Sequence, residues 1–272
     1  MKTQTPIRPG SELAAEFWEH GRSESCPIYD MHGHMGEWYA IYFPRAQAAE
    51  MIRSMDAAGV KLLCFAHHAA LLAPEVGNRP AVDAVRAFPD RLRAYMAINP
   101  QYPDIIERDL AQFDGMRDVF VGLKFLASYH QADLRDGRYR PALEFANERA
   151  LPVLLHTWKG AANNGPEQVR AIAGRYERAR FLCGHSFHDD WEAAVSVARD
   201  CPNTYLELTA VLGYRGVIDV LCEGAGSDRL LFGTDLPWFD EQHGLGALLS
   251  TSISDDDIHN ICHRNAEKLL GL

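Results

Sequence analysis

The sequence lacks an excess of positive charge and has no long apolar run. Its 272 residues include 27 Lys and Arg against 37 Asp and Glu, which gives a formal net charge of −10. Nucleic acids and anionic membranes both require a basic surface, so neither is expected as the main partner. The chain has no apolar run long enough for a transmembrane helix, and its first residues lack the apolar core of a signal peptide. We therefore expect a cytoplasmic protein.

Cysteine pairs and linker-like segments are also missing. The six cysteines form no C-x-x-C pair, and Cys26, Cys64 and Cys183 lie inside apolar runs, where a thiol is usually a small buried hydrophobe. We expect these thiols to be reduced. Glycine and proline are scattered, and 47% of the residues are hydrophobic. This composition predicts one large core in a single domain.

The chain contains instead a series of short apolar runs. Most are continuous rather than alternating, as is typical of strands buried on both faces. The eight runs are Pro27–Met31, Val60–Ala66, Leu92–Ile98, Phe120–Ala127, Pro152–His156, Arg180–Gly184, Thr204–Leu208 and Leu230–Gly233.

Amphipathic segments separate most of these runs. The predicted helices are 11–21, capped by Ser11 and ended by Gly21, then Gln47–Ala58, Asp104–Phe113, Arg140–Ala150, Pro166–Tyr176, Asp189–Ala198, Arg215–Cys222 and Asp255–Leu270. Repeated β-α units in one domain predict a (β/α)8 TIM barrel over residues 26–272, preceded by a helical extension over residues 1–25 and without a β-sandwich subdomain. An open doubly wound sheet is the alternative, but no G-x-G-x-x-G follows a strand.

Polar side chains recur where the apolar runs end. His32 and His34 are two residues apart, so in an extended strand their imidazoles point to the same side. His156, His185 and Asp235 close later runs. Because the carboxyl ends of barrel strands meet at one mouth, these groups are expected to converge there. Imidazoles with a carboxylate suit Zn²⁺ or a similar divalent ion.

The chain resembles the amidohydrolase superfamily and, within it, the decarboxylase-related amidohydrolase family 2. The segments that carry this resemblance are Tyr29–His34, Val121–Phe125, Leu151–Thr157, Leu182–His185, Arg229–Pro237 and Asn265–Leu272. The resemblance implies that His32, His34 and His156 bind the metal. It implies that Asp235 binds the metal too, or deprotonates its water. His185 would act beside the metal as general acid or base, or would polarise a substrate carbonyl.

Lys124, inside the fourth run, has three interpretations. In some amidohydrolases a lysine at this strand is carboxylated and bridges two metals. Its ammonium could instead hold a substrate carboxylate, or the side chain could snorkel from the barrel wall. One Zn²⁺ ion is preferred and two are compatible with the ligands. With an unmodified Lys124, His185 is free for proton transfer.

Further side chains are candidates for substrate binding. They are Trp38, His67, Trp158, Glu207 and Trp238, each close to the end of a predicted strand. Aromatic residues around one mouth suit a small, partly apolar or ring-shaped substrate. Two of the candidates have a structural alternative: Glu207 as a buried hydrogen-bond acceptor, and His67 or the adjacent His68 as part of an exposed loop. Gly33, between the first two histidines, could leave room beside the metal.

These features predict a metal-dependent hydrolase of a small carboxylated or cyclic substrate, such as a lactone, amide or ester. Water activated by the metal would attack the carbonyl, and Asp235 would carry the proton. The alternative is a metal-dependent decarboxylase or hydratase of an aromatic or enol acid. A metal-binding scaffold without activity is a third, less favoured interpretation. With short loops, the pocket is either shallow or closed by the neighbouring subunit of a homo-oligomer.

Overall fold

The continuous apolar runs form one sheet of eight parallel strands in sequential order. The structure is a computed structural model that describes residue 8 and residues 10–272. The strands are β1 (Ile28–Met35), β2 (Val60–His67), β3 (Leu92–Ile98), β4 (Phe120–Phe125), β5 (Pro152–Trp158), β6 (Arg180–His188), β7 (Thr204–Glu207) and β8 (Leu230–Leu231). The segment at and after β8 returns to β1, where Met31 N donates to Phe232 O at 3.0 Å and His34 N donates to Leu236 O at 2.6 Å. The predicted (β/α)8 barrel is confirmed.

Helices follow the strands along the chain. They are α1 (Glu12–His20), α2 (Ala48–Ala58), α3 (His68–Leu72), α4 (Pro74–Ala87), α5 (Pro103–Phe113), α6 (Ala127–His130), α7 (Arg140–Arg149), α8 (Pro166–Arg175), α9 (Trp191–Asp200), α10 (Val217–Ala225), α11 (Glu241–Leu249), α12 (Asp255–His259) and α13 (Asn265–Leu270). A π-helical turn, Asn260–Arg264, joins the last two, and short 3₁₀ turns occupy Asp114–Met116, Gly137–Tyr139, Val211–Gly213 and Ser227–Arg229.

The first helix begins and ends where the sequence predicts. The Ser11 side chain accepts a hydrogen bond from Ala14 N, and Gly21 has a left-handed φ of 71°. The boundary between residues 25 and 26 stays a prediction, and residues 1–7 and 9 of the proposed extension lie outside the described residues. None of the helices in the described part of the chain has the length and apolar character needed to cross a bilayer.

Four strands continue past their predicted ends, two of them, β2 and β5, by only one or two residues, to His67 and Trp158. β1 continues to Met35 and β6 to His188, so His32, His34 and His185 lie within strands rather than after them. A prediction from apolar runs stops at the first polar residue. Here the polar side chains are buried, and the backbone continues to pair with its neighbours through them.

Helix α4 has no counterpart among the predicted helices. Its sequence contains Gly77 and Pro80, which are poor helix formers, so the local pattern is weak. Gly77 is needed because its backbone lies against Ala70, where a β-carbon would collide with the main chain. Burial of Ala81 and Val85 then stabilises the helix through tertiary packing. Helix α11 was missed for a similar reason, since it also contains glycine.

The barrel interior is filled by apolar side chains, with polar side chains towards the carboxyl ends of the strands. Tyr95, Leu154, Leu182 and Leu231 come from four strands and share one cluster, which is distinct from the larger cluster between strands and helices. Lys124 is in register with Leu154, so its side chain also points inward. The strands therefore place the polar Lys124 side chain in the barrel interior beside an apolar cluster.

A buried carboxylate in α11 provides a test of stability against pH. Glu241 is 1% exposed, and neither carboxylate oxygen has a hydrogen-bond partner among the described residues. Burial raises the pKa of Glu241 well above its usual range, with Asp30 contributing. The folded protein thus favours the protonated form, so stability falls as pH rises through the unfolded pKa towards the folded pKa.

We expect Glu241→Gln to stabilise the protein at pH 8, by about 1–3 kcal/mol, and to have little effect at pH 4. Thermal unfolding of both proteins across this range measures the difference. Glu12→Gln, at an exposed position, is the matched control. Parallel stability curves for wild type and Glu241→Gln would contradict the prediction.

Candidate active site

Three predicted ligands converge at the mouth of the barrel. The ligand atoms of His32, His34 and Asp235 lie within 4.8 Å of one another. Asp235 Oδ1 lies 3.0 Å from His34 Nε2 and 3.4 Å from His32 Nε2, yet it makes no aligned hydrogen bond within the described residues. Buried polar atoms normally have partners. Two imidazole nitrogens and an unpartnered carboxylate oxygen at one point form a group that can hold a divalent cation.

Closure of the barrel positions the carboxylate. Asp235 N donates to His32 O at 2.7 Å, so the segment after β8 is fixed against β1. Asp235 has a φ of 65° and His185 a φ of 66°, both in the left-handed region that non-glycine residues rarely occupy. Such strained backbone persists only where surrounding contacts impose it, and it is concentrated at functional sites.

The charge states of these groups suit metal binding. Burial lowers the pKa of His32 well below its usual range, and the nearby Lys124 adds to the effect. Burial raises the pKa of Asp235, but its interactions with His32 and His34 outweigh this and leave it well below the usual value. At neutral pH the His32 imidazole is neutral and the carboxylate ionised, which are the forms that coordinate a cation.

Glu207 lies behind His32 rather than in the cavity wall. Its Oε2 accepts from His32 Nδ1 at 2.7 Å and from His185 N at 3.2 Å, while Oε1 accepts from Thr209 N at 2.7 Å. Burial raises its pKa to about 7. A β-carbon at Gly233 would collide with Oε1, so the glycine leaves room for this carboxylate. The geometry matches the structural alternative, a buried acceptor that orients His32.

Lys124 reaches the same point from the opposite wall. Its side chain is buried, and Nζ lies 2.9 Å from His32 Nε2. Burial lowers its pKa to about 8. A snorkelling lysine would place its ammonium in solvent, so that interpretation does not describe this side chain. Lysine carboxylation and substrate binding both stay predictions.

His156 and His185 contact each other. His185 Nε2 lies 3.1 Å from His156 Nδ1, and His185 Nδ1 is buried without a partner in the described residues. Burial lowers the pKa of both imidazoles well below the usual range. The rings of His32 and His185 have centroids 5.1 Å apart, so His185 adjoins the ligand group. The structure does not bring His156 into that group, and its role as a ligand stays a prediction.

An aromatic cavity of about 210 Å³ opens onto these residues. Its lining residues are His34, Trp38, His68, Leu71, Leu126, Tyr129, His156, Trp158, His185, Ala210, Asp235, Trp238 and Phe239. The predicted Trp38, Trp158 and Trp238 are among them. Leu71 and Leu126 had no sequence signal, because a leucine in a cavity wall looks like any core leucine.

His68, and not His67, belongs to the wall. Trp238 Nε1 donates to His68 Nε2 at 3.0 Å, and His68 Nδ1 lies 2.6 Å from Gly36 O, which fixes the ring against the indole. His67 is used elsewhere, since its Nδ1 accepts from Ala69 N at 3.1 Å at the start of α3. Gly33 gives no extra room beside the metal ligands, because a β-carbon there would lie 2.7 Å from Leu63 Cδ1.

Solved structures share this barrel. It is similar to 5-carboxyvanillate decarboxylase from Sphingomonas paucimobilis, with a TM-score of 0.74 and 12% identity over 91% of this chain and 100% of that one. It is also similar to 2,6-dihydroxybenzoate decarboxylase from Rhizobium, with a TM-score of 0.71 and 16% identity over 91% of this chain and 99% of that one. A third similar structure is a dihydroxybenzoic acid decarboxylase from Polaromonas with bound manganese and the inhibitor 2-nitroresorcinol. Its TM-score is 0.72, with 17% identity over 91% of this chain and 97% of that one. At these identities the likeness establishes the fold alone.

Sequence comparison identifies the family. No curated protein matches the chain in sequence. The amidohydrolase family model matches residues 29–272, a span that includes the ligand group and runs from β1 through the last helix. The chain therefore belongs to the amidohydrolase family.

Proposed function

We propose that this protein is a metal-dependent decarboxylase of a monocyclic aromatic acid that carries a hydroxyl group beside its carboxylate. The observation that carries the proposal is the aromatic cavity of about 210 Å³ that ends on His34, His185 and Asp235. Solved structures with a similar barrel include decarboxylases of 2,6-dihydroxybenzoate and 5-carboxyvanillate, and both of these acids have a single aromatic ring with a hydroxyl group beside a carboxylate. This reaction replaces hydrolysis, the first expectation from the sequence, as the preferred function.

The donor set fits one first-row divalent ion. His32, His34 and Asp235 offer two nitrogens and one oxygen, which suit Mn²⁺ as well as Zn²⁺. The unpartnered Oδ1 of Asp235 is the specific sign of fit, because a buried carboxylate oxygen needs a partner. A bound cation would supply positive charge for the substrate carboxylate and the adjacent hydroxyl oxygen.

The cavity walls favour a flat ring. The indoles of Trp38 and Trp238 form a T-shaped pair with centroids 6.3 Å apart, and Tyr129 packs edge-on to Trp38 with a centroid distance of 5.9 Å. Stacking against such faces contributes about 0.5–1.5 kcal/mol per pair beyond apolar burial. A substrate carboxylate that reached the buried His34 and Asp235 would be poorly solvated there, and a poorly solvated carboxylate loses carbon dioxide more readily.

Asp235 is the proposed carrier of the proton. It lines the cavity and is 8% exposed, so it reaches a substrate while staying shielded from bulk water. It would take the proton of the substrate hydroxyl on binding and deliver it to the ring carbon. The bond between that carbon and the carboxylate then breaks, and carbon dioxide leaves. His185, beside it, would stabilise the negative charge that develops on the ring oxygen.

A substrate panel tests this proposal. Hydroxybenzoic acids with the hydroxyl ortho or para to the carboxylate are compared with lactones, amides and esters of similar size in ¹⁸O-water. We expect carbon dioxide from the ortho acids and no ¹⁸O in the organic product. A para isomer is the matched control, because its hydroxyl cannot reach the same centre as the carboxylate. Turnover restricted to the lactones, amides or esters, with ¹⁸O in the product, would establish hydrolysis instead.

Glu207→Gln tests the orientation of His32. The amide keeps the shape of the side chain but removes the charge that holds the His32 Nδ1 proton. Loss of such an outer partner lowers metal affinity by about 10–100-fold. Isothermal titration with Mn²⁺ measures the metal affinity of both proteins. At saturating metal, we expect the kcat of Glu207→Gln to stay within a few-fold of the wild-type value. The exposed Glu192→Gln is the control, and unchanged affinity in Glu207→Gln would contradict the assigned role.

A further inference from the structure

A second cluster of metal-binding side chains lies at the other end of the barrel. Cys26 precedes β1, whereas His32 and His34 lie towards its carboxyl end. At about 3.3 Å per residue of extended chain, Cys26 is roughly 20 Å from His32. His259 ends α12 and His263 lies in the π turn that follows. The cluster is therefore separate from the mouth.

The three side chains present their ligand atoms to one point. Cys26 Sγ lies 3.4 Å from His259 Nδ1, and His259 Nδ1 lies 3.0 Å from His263 Nε2. All three atoms lie within 4.8 Å of one another. In a tetrahedral zinc site with ordinary bond lengths, a sulfur and a nitrogen are about 3.5 Å apart and two nitrogens about 3.3 Å. The observed distances, 3.4 Å from Cys26 Sγ to His259 Nδ1 and 3.0 Å from His259 Nδ1 to His263 Nε2, are close to these values.

Hydrogen bonds account for only part of this arrangement. Cys26 Sγ has another acceptor in Pro27 O, at 3.6 Å, but His259 Nδ1 faces both Cys26 Sγ and His263 Nε2. A neutral imidazole nitrogen carries either one proton or one lone pair. His259 Nδ1 therefore satisfies its contact with Cys26 or its contact with His263, but not both. A cation bound between the three atoms satisfies all of them at once.

The surroundings orient His263 for coordination. Glu267 Oε1 lies 3.2 Å from His263 Nδ1 without an aligned hydrogen bond among the described residues, and its negative charge at this distance favours the proton on that outer nitrogen. The lone pair is then on Nε2, which faces the cluster. Carboxylates beside metal-binding histidines act in this way. The π turn Asn260–Arg264 follows His259 and contains His263, and such turns are concentrated at functional sites.

We propose that Cys26, His259 and His263 bind a Zn²⁺ ion at the base of the barrel. A thiolate with two imidazoles is a donor set that suits zinc, and water would complete the tetrahedron. The ion would connect the start of β1 to the last helices, across 233 residues of sequence. It would thereby stabilise the closure between the two ends of the barrel and take no part in the reaction at the mouth.

Cobalt replaces zinc in such sites and reports sulfur directly. Metal-free protein in reductant is titrated with Co²⁺, and the sulfur-to-cobalt charge-transfer band is recorded. The described mouth ligands include no thiol, so the band belongs to the base alone. We expect the band in wild type and in Asp235→Asn, and its loss in Cys26→Ser and His263→Gln. Cys262→Ser is the matched control, since the buried Cys262 thiol contacts Cys26 but lies outside the group formed by Cys26, His259 and His263.

Glu267→Gln should keep the band but weaken Co²⁺ binding by about 10–100-fold. If the ligand variants fail to fold, X-ray absorption of wild-type protein loaded with zinc should show sulfur in the coordination shell. Absence of the band and of zinc–sulfur scattering from wild type would overturn the proposal. A band that persists in both Cys26→Ser and His263→Gln would also overturn it, because another thiol would then be the ligand.

Discussion

Asp235→Asn is expected to lower kcat by about 10³-fold while leaving the barrel folded. The asparagine amide has no carboxylate to accept and return a proton, and it removes the negative charge from the ligand group. The backbone bond from residue 235 N to His32 O is unaffected, so the loop after β8 keeps its place. Steady-state decarboxylation, with circular dichroism to verify folding, measures the effect.

The control is Asp104→Asn, an exposed aspartate near the start of α5. It should retain wild-type kcat. If Asp235→Asn kept more than a tenth of the wild-type kcat at saturating metal, Asp235 would not be the proton carrier. An intermediate loss that excess Mn²⁺ restored fully would assign the residue to metal binding alone.

Removal of the metal is expected to abolish decarboxylation, to below about 0.1% of the loaded enzyme. Without the cation, His32, His34 and Asp235 offer no positive charge to the substrate carboxylate, and the buried Lys124 alone must compensate. Chelation followed by addition of Mn²⁺ or Zn²⁺ should restore turnover in proportion to occupancy of one site. The measurement is best made on Cys26→Ser, so that the proposed ion at the base does not contribute to the stoichiometry.

Two outcomes would contradict the metal requirement. One is full activity in protein whose metal content is below a tenth of an equivalent. The other is an activity that rises only when a second equivalent binds at the mouth, which would favour a binuclear centre and a carboxylated Lys124.

Barrel closure and site assembly are linked in this structure. β1 carries His32 and His34, and the segment after β8 carries Asp235, so the ligand group is complete only when the two ends of the sheet meet. The hydrogen bonds His34 N to Leu236 O and Asp235 N to His32 O form at this closure. Metal binding should therefore stabilise the closed barrel over partly unfolded forms.

The barrel was predictable because strands buried on both faces have continuous apolar sequences. Its strand ends were not, since β1 and β6 extend through buried histidines that a hydropathy pattern cannot distinguish from loop residues. Helix α4 was missed because Gly77 and Pro80 weaken the local helical signal, whereas the close contact of Gly77 with Ala70 is a tertiary effect. Helix propensity is a local property of the sequence and cannot predict such a tertiary contact.

At the site, the spacing of His32 and His34 predicted their convergence, because strand geometry fixes it. The contact between His156 and His185, and the bond from His32 to Glu207, depend on distances between strands that spacing along the chain does not encode. The sequence predicts His67 in the cavity wall, but His68 lies there. The position at which α3 begins determines which of these two adjacent side chains faces the cavity, and the sequence pattern does not show that position.

The most direct measurement of the proposed reaction is the proton NMR spectrum of the product formed from an ortho-hydroxybenzoic acid in D₂O. The proposed function predicts deuterium at the ring carbon that carried the carboxylate, together with one equivalent of carbon dioxide, and about 10³-fold slower formation of both in Asp235→Asn. An aromatic acid that is recovered with its carboxylate while an ester, amide or lactone of the same ring is cleaved would contradict it.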